Sequence, residues 1–297
     1  MSVMQRTAKN TTLLSSPEVA RVLGVNVATV KRWTDAGKLD CVKTAGGHRK
    51  FSMKQLAAFA KSHEKYAQRL SLVPLENEAE RKLSREILEA DFESLIPVIL
   101  EIAMTCDQDA VLMILNSSYM VHQDLAILYD DLLTPVLHRI GQMWMNGELT
   151  IAEEHLASQV IRDSIVRLQD VVNHDAAKEK SFVMTMSEEL HDIAAKMTQH
   201  VLEQNGHKVL FSGSRTPVVD TDKIFSSFKP DRVYLSSSYN GDVEGAQKEL
   251  EELVGFCRKY DAKLYGGGSG LNQLDLTAFS DDIHLLYSFR ETSATCK

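Results

Sequence analysis

The sequence predicts a multidomain protein that combines the α and α/β fold classes. The chain has 297 residues, which is long enough for two or three domains. Residues 81–175 follow a helical pattern with few glycines, whereas from Ser181 onward short apolar runs alternate with longer amphipathic stretches. This second pattern indicates a parallel sheet with helices on both faces, so we expect a C-terminal Rossmann-like (flavodoxin-like) domain.

The composition is that of a globular protein without a membrane partner. Hydrophobic residues make up 44% of the chain and charged residues 25%. No apolar run approaches the roughly 20 residues that cross a bilayer, and the first residues lack the apolar stretch of a secretory leader. The scattered cysteines are typical of free thiols, so we expect a cytoplasmic protein. These cysteines are Cys41, Cys106, Cys257 and Cys296.

Charge is distributed unevenly along the chain. Residues 1–62 hold 11 Lys and Arg against 3 Asp and Glu, a net charge of +8, whereas the whole chain carries −8. The remaining residues therefore carry −16. A basic head on an acidic body indicates that only the head contacts phosphate groups.

The basic head contains the pattern of a helix-turn-helix. Ser15, Pro17 and Glu18 are helix-start signals, Gly24 ends this first helix, and residues 25–33 predict a second one. In this geometry the second helix enters the major groove of DNA. Val30 and Trp33 are expected to pack inward. The residues expected to face DNA are Ala28, Thr29, Lys31 and Arg32.

A hairpin wing is predicted over residues 44–51. Gly46 and Gly47 allow its tight turn, and His48, Arg49 and Lys50 can reach phosphates. This region resembles the DNA-binding domain of the MerR family. Excisionase-like proteins share that fold, so the match leaves transcription control and DNA architecture both open. The matching segments are 19–20, 23–25, 29–30, 32–33, 37–39 and 46–49.

The central helical region holds a candidate ligand site. Trp144 precedes a turn, and Thr150 and Glu153 fit a capping box for the next helix. Glu154 and His155 then lie in the first turn of that helix. A planar ligand can stack on Trp144 while the carboxylate and the imidazole bind its polar substituents.

The spacing from Trp144 to the Glu154–His155 pair resembles that of the cobalamin-dependent, light-responsive repressors of the MerR family, the CarH/LitR type. The match extends over residues 133–158. The resemblance implies a four-helix bundle that caps the upper face of adenosylcobalamin, with the Trp and the Glu-His pair around the adenosyl group.

The same resemblance implies further cofactor contacts in the C-terminal domain. His191, on the loop after the first predicted strand, is the expected lower axial ligand of cobalt, because a neutral imidazole nitrogen is a good donor to this metal. Glu189 or Asp192 can orient its ring. Loops after later strands are expected to receive the nucleotide tail, where glycines admit it closely. The residues concerned are Thr216, Ser236, Ser238, Gly266 and Gly267.

Two positions depart from the family pattern. Ala194 stands where the family's His-x-x-Gly has glycine, and Met145 stands where the family carries a His after the Trp. The expected domains are a winged helix-turn-helix over 1–75, a four-helix bundle over 76–177 and a Rossmann-like cobalamin-binding domain over 178–297.

The resemblance implies a transcriptional repressor that is not an enzyme. An adenosylcobalamin-stabilised homo-oligomer, a dimer or tetramer, is expected to bind operator DNA in the dark and to release it after photolysis of the Co–C bond. Linked heads raise effective concentration without new contacts. One alternative is a regulator of the same architecture that works without cobalamin or senses another tetrapyrrole. The other is a cobalamin enzyme with a fused helix-turn-helix.

Overall fold

In the computed structural model, residues 13–44, 46–63, 66, 73, 77–168 and 179–296 are described. Their contacts form two compact units. Residues 13–123 with 149–168 belong to the N-terminal unit, and residues 124–148 with 179–296 belong to the C-terminal unit. The domain boundaries expected at 75–76 and 177–178 lie outside the described residues.

The N-terminal unit begins with a helix-turn-helix, as predicted. Strand β1 (Leu14–Ser15) leads into helix α1 (Ser16–Val22), and Gly24, with a φ of 61°, makes the turn to helix α2 (Val27–Asp35). Helix α2 begins two residues later than the sequence suggested, because the side chain of Asn26 caps it by accepting a hydrogen bond from the Thr29 N–H at 2.8 Å.

The wing is also present. Strands β2 (Val42–Lys43) and β3 (Arg49–Phe51) pair antiparallel, and β1 lies on the other side of β3. Helix α3 (Met53–Ser62) follows, capped by Ser52 and Gln55. The core beneath these elements is apolar, with Val30 and Trp33 at their predicted inward positions. Its other large members are Val19, Leu23, Leu39, Phe51, Leu56 and Phe59.

Four helices complete the described part of the N-terminal unit. They are α4 (Glu78–Glu89), α5 (Phe92–Met104), α6 (Gln108–His122) and α9 (Ile151–Leu168). Helix α6 is buried on nearly every side, because α3, α4, α5 and α9 all pack against it.

A further helical segment belongs to the C-terminal unit. Helix α7 (Leu125–Leu128) continues through a π-helical turn (Tyr129–Leu133) into helix α8 (Thr134–Met145). Pro135 explains the wide turn, since it lacks the N–H of a regular helix and its ring would clash with the preceding turn. Its contacts group this segment with the α/β elements.

The C-terminal unit is a doubly wound sheet of five parallel strands in the order β5-β4-β6-β7-β8. This order is that of flavodoxin-like folds, and it confirms the predicted fold class. Two buried clusters, one on each face, hold the helices to the sheet. The strands are β4 (Glu179–Thr185), β5 (His207–Phe211), β6 (Arg232–Ser236), β7 (Lys263–Gly267) and β8 (Ile283–Leu286). The helices are α10 (Ile193–Gln204), α11 (Asp222–Phe228), α12 (Val243–Tyr260) and α13 (Phe289–Ala294).

Helix α13 anchors the α7–α8 segment to this unit. The Asp130 carboxylate accepts hydrogen bonds from the backbone N–H groups of Phe289 and Arg290 at 2.8 and 3.0 Å. The Arg290 guanidinium reaches Asp131 with two bonds, at 2.8 and 2.5 Å. Among the described residues, no helix is both long and apolar enough to cross a membrane.

Candidate functional site

The loops at the carboxyl ends of β4 and β6 form the candidate site. In a sheet of this order, ligands bind at the switch point, where the connections after two neighbouring strands lead to opposite sides of the sheet. Here the switch point lies between β4 and β6. The loop after β4 carries Glu189, His191 and Asp192, and the loop after β6 carries Ser237 to Asn240. The topology therefore brings two of the predicted loops to one edge.

Glu189 joins these two loops. Its side chain is 1% exposed, and one carboxylate oxygen accepts hydrogen bonds from the backbone N–H and the Nδ1 atom of His191, both at 2.7 Å. The other oxygen accepts from the backbone N–H groups of Ser238 at 2.5 Å and Tyr239 at 3.1 Å. Glu189, one of the two candidates for orienting His191, thus contacts its imidazole directly.

The Glu189 carboxyl is held in its ionised form. Burial acts to raise its pKa, but the hydrogen bonds from His191, Ser238 and Tyr239 outweigh burial, so the pKa of Glu189 lies below its ordinary value of 4.5. A carboxylate at Nδ1 requires the proton of a neutral imidazole to sit on Nδ1. The lone pair is then on Nε2, which is the tautomer that a metal-binding imidazole needs.

The loop that carries His191 is also fixed at its start. The Glu249 carboxylate on α12 accepts hydrogen bonds from the backbone N–H of Ser187, at 3.1 Å, and from its hydroxyl. Asp192 is buried at the beginning of α10, where its carbonyl accepts the first helical bond from the N–H of Lys196. The His191 side chain itself is 69% exposed.

The loops expected to hold a nucleotide tail interlock with each other. Ser236 ends β6, and Ser237 donates its N–H to the Gly267 carbonyl. Gly266 and Gly267 lie inside β7, whereas the sequence analysis placed them after it; this expectation was wrong because β7 pairs with β6 and β8 through Gly267. A Cβ on Gly266 would lie 2.7 Å from the Leu271 Cδ1 atom and 2.8 Å from the Ile283 Cδ1 atom, so a larger residue there would require these side chains to shift.

Thr216 and Ser238 lie on neighbouring loops. The Thr216 hydroxyl donates to the Ser212 hydroxyl at 2.7 Å, on the loop after β5. The Ser238 carbonyl accepts a hydrogen bond from the Ser269 hydroxyl at 2.8 Å. Both residues are thus at the carboxyl edge of the sheet, as predicted, and both take part in bonds between or within loops.

Two exposed apolar side chains lie beside His191 and Glu189 at the carboxyl edge of the sheet. Leu190 and Tyr239 flank the histidine and its carboxylate on the two loops, and they are 65% and 61% exposed. Exposed apolar side chains clustered beside a polar anchor are typical of ligand sites. A single imidazole ligand with a fixed tautomer also suits a metal whose other ligands come from a macrocycle. No group of three or more metal-ligating side chains occurs among the described residues.

The predicted upper-face residues lie in different units. Trp144, near the end of α8, belongs to the C-terminal unit and is 46% exposed, and the neighbouring Met145 is 71% exposed. Glu154 and His155 lie on α9 in the N-terminal unit. Their convergence on one ligand stays a prediction.

Glu154 and His155 bond to each other. The His155 Nδ1 atom and a Glu154 oxygen are 2.5 Å apart, and the other Glu154 oxygen accepts from the Ser158 hydroxyl at 2.7 Å. The expected capping box is present, since Glu153 accepts from the N–H and hydroxyl of Thr150. These bonds on Thr150 hold the pKa of Glu153 below its ordinary value.

Only some of the residues predicted to contact DNA are exposed. Ala28, Lys31 and Arg32 are exposed on α2, and His48 is exposed on the wing. Thr29 is half-buried, and its hydroxyl donates to Asn26.

Arg49 and Lys50, the remaining wing residues, are both half-buried. The Arg49 guanidinium pairs with Asp35 at 2.5 Å and so ties the wing to the end of α2. Asp35 is a neighbour that the sequence analysis did not single out.

Comparison with known proteins supports a DNA-binding domain and a cobalamin-binding domain in this chain. A family model described as "Helix-turn-helix domain" matches residues 13–64, and one described as "B12 binding domain" matches residues 81–169. The HTH-type transcriptional repressor CarH of Myxococcus xanthus is 25% identical over 247 residues, which cover 79% of this chain and 82% of that protein. These matches support a DNA-binding helix-turn-helix domain followed by a B12 binding domain in one chain.

The comparison with solved structures bears on the fold of the chain. The monomethylamine corrinoid protein of Methanosarcina barkeri superposes with a TM-score of 0.53 at 11% identity, covering 66% of this chain and 94% of that one. The likeness supports a helical region followed by a corrinoid-protein type of α/β domain. At this identity it concerns the fold alone.

Proposed function

We propose that the chain is a light-responsive transcriptional repressor that binds adenosylcobalamin. The observation that carries the proposal is the His191–Glu189 pair at the switch point of the sheet, where a buried carboxylate fixes the histidine tautomer that donates through Nε2. Support also comes from the B12 binding domain match and from the CarH relative.

The chain's own residues would divide the work between holding the cofactor and reading DNA. His191 would ligate cobalt from below, and the loops after β5, β6 and β7 would receive the nucleotide tail. Trp144, Glu154 and His155 would enclose the adenosyl group. Adenosylcobalamin, when bound, supplies a light-sensitive cobalt–carbon bond. Residues 28–32 and 48–50 would contact operator DNA.

Regulation would operate through assembly in the cytoplasm. A basic head with a net charge of +8 gives phosphate contacts that weaken steeply with salt, so one head alone holds an operator poorly. In the dark, a homo-oligomer would bind several half-sites together, and its affinity would gain from the linkage. After illumination, the loss of the adenosyl group would dissolve the assembly and release the operator.

An absorption spectrum decides between this proposal and its nearest rival. We expect protein mixed with adenosylcobalamin in the dark to retain a corrin band through gel filtration, to elute as an oligomer, and to change both properties after green light. His191→Ala should lose the protein-ligated spectrum. Wild-type protein that retains no corrin band would overturn the proposal.

The rival is a regulator of the same architecture that works without cobalamin or senses another tetrapyrrole. Ala194 and Met145 favour it, because they replace the family's glycine and its histidine after the Trp. Operator binding that is equal in wild type and His191→Ala, in the dark and in the light, would support this rival.

A further inference from the structure

The side chain of Asn240 lies buried between the loops that follow β6 and β7. It is 5% exposed, and its oxygen accepts a hydrogen bond from the Ser237 hydroxyl at 2.9 Å. Its nitrogen donates to the Gly270 carbonyl at 2.7 Å, and its backbone N–H donates to the Gln273 side chain at 3.2 Å. The side-chain amide of Asn240 therefore forms hydrogen bonds with both loops.

The two loops approach so closely that side chains are excluded. A Cβ on Gly268 would lie 2.1 Å from the Ser237 carbonyl oxygen, and one on Gly270 would lie 2.3 Å from the Ser237 hydroxyl. The Gly270 N–H donates to that same carbonyl at 2.9 Å. The Asn240 bonds are thus made in a close-packed interior, where an unpaired polar group is costly.

The same loop leads directly to the histidine. Ser238 and Tyr239, which stand between Ser237 and Asn240, donate their backbone N–H groups to Glu189, and Glu189 holds Nδ1 of His191. The direction of those two N–H groups depends on the loop that Asn240 fixes at its end. The bonds form a continuous series from the β7 loop to the imidazole.

We infer that Asn240 is a positioning residue for His191, acting through the backbone of Ser238 and Tyr239 and the carboxylate of Glu189. The inference rests on the proposed function only as far as His191 ligates a corrinoid. The loops that Asn240 joins are also the ones proposed to receive the nucleotide tail, so the residue would couple the two ends of the cofactor site.

The first experiment needs no corrinoid. Backbone hydrogen exchange of Ser238 and Tyr239 is measured in the full-length protein, and we expect Asn240→Ala to speed it by about tenfold, since the loop loses two buried bonds. Asn205→Ala is the matched control, because its amide donates to Val201 and Ser293 at the other edge of the sheet. Exchange at the wild-type rate in Asn240→Ala would overturn the inference.

The second experiment reads ligation directly. Aquocobinamide, which lacks the nucleotide tail, is titrated into each variant while the visible spectrum reports axial imidazole. We expect Asn240→Ala to weaken ligation by about tenfold and the double variant with Glu189→Ala to be no weaker than Glu189→Ala alone, because both act in one series. Independent, additive losses would contradict a positioning role.

A milder variant keeps both tests valid if Asn240→Ala does not fold. Ser237→Ala removes one of the two side-chain bonds and leaves the bond to Gly270. It should shift exchange and ligation in the same direction by a smaller factor, and no shift in either would overturn the inference. If wild-type protein binds no corrinoid, the proposed function fails, while the exchange experiment still decides on Asn240.

Discussion

Replacing Glu189 by glutamine tests whether one carboxylate holds the candidate site together. The two oxygens of Glu189 accept four hydrogen bonds, from two groups of His191 and from the N–H groups of Ser238 and Tyr239. Glutamine offers one oxygen, so two donors face an NH₂ group instead. Bonds to a charged acceptor contribute about 1.5–3 kcal/mol each. Allowing for partial relaxation, we expect the free energy of unfolding of Glu189→Gln to be about 2–4 kcal/mol lower than that of wild type.

The pH dependence gives the same prediction a second measurement. Because the pKa of Glu189 in the folded protein lies below 4.5, the carboxylate stabilises the fold above about pH 4.5, and this contribution is lost as the pH falls through the folded pKa. The difference between wild type and Glu189→Gln should therefore be largest near neutral pH and shrink on acidification.

The assay uses the two tryptophans of the chain. Trp33 belongs to the N-terminal unit and Trp144 to the C-terminal unit, so in a Trp33→Phe background the fluorescence follows the unit that contains Glu189. Urea unfolding is measured at neutral pH and near pH 4. Glu252→Gln, on an exposed position of α12, is the control. Equal stability of Glu189→Gln and the control at neutral pH would refute the reasoning.

Three further substitutions test other parts of the chain. Gly268→Ala should destabilise the C-terminal unit by about 3 kcal/mol or more, because its φ is 104° and its Cβ would meet a backbone oxygen. Gly213→Ala is the control: its φ is 87°, its Cβ would meet open space, and it should cost only about 1–2 kcal/mol of backbone strain. Urea unfolding compares the two variants. Asp130→Ala should lower the unfolding free energy of the C-terminal unit by about 2 kcal/mol, since it removes two bonds to backbone N–H groups. Arg290→Ala should lower it by less than about 1 kcal/mol, because the Arg290 side chain is 48% exposed. Asp35→Asn should raise the affinity for duplexes of any sequence by about two- to fivefold in fluorescence anisotropy, because it removes an anion beside the phosphate-contacting surface; an unchanged affinity would place Asp35 away from DNA.

The fold was largely predictable because its signals are local. Residues 182–185 of strand β4 are buried and read as a largely apolar run, and Gly24 marks the turn of the helix-turn-helix. The sequence did not predict that residues 125–145 join the C-terminal unit. Amphipathicity shows that a helix has a buried face, but the partner depends on distant bonds such as that between Asp130 and Phe289.

The candidate site was predictable only where its residues are neighbours in the chain. Glu189 and His191 are two positions apart, and their pairing follows from one short loop. Glu249 and Asn240 were missed, because the groups that they hold, Ser187 and Gly270, lie 62 and 30 residues away. The signal that could have indicated Asn240 is the run of glycines at 266–268 and 270, which shows that some backbone passes close to it.

Ala194, the departure nearest to His191, can be weighed from its place in the fold. It is the second residue of α10, is exposed, and is not among the residues with positive φ. An alanine is favoured over glycine in such a helical position by about 1 kcal/mol. The loop that presents His191 therefore needs no glycine for its conformation. The exposed methyl group of Ala194 can contact only solvent or a ligand bound at this surface. Ala194→Gly should thus leave the bonds of Glu189 intact, and a gain in corrinoid affinity in that variant would indicate steric crowding by the alanine methyl group.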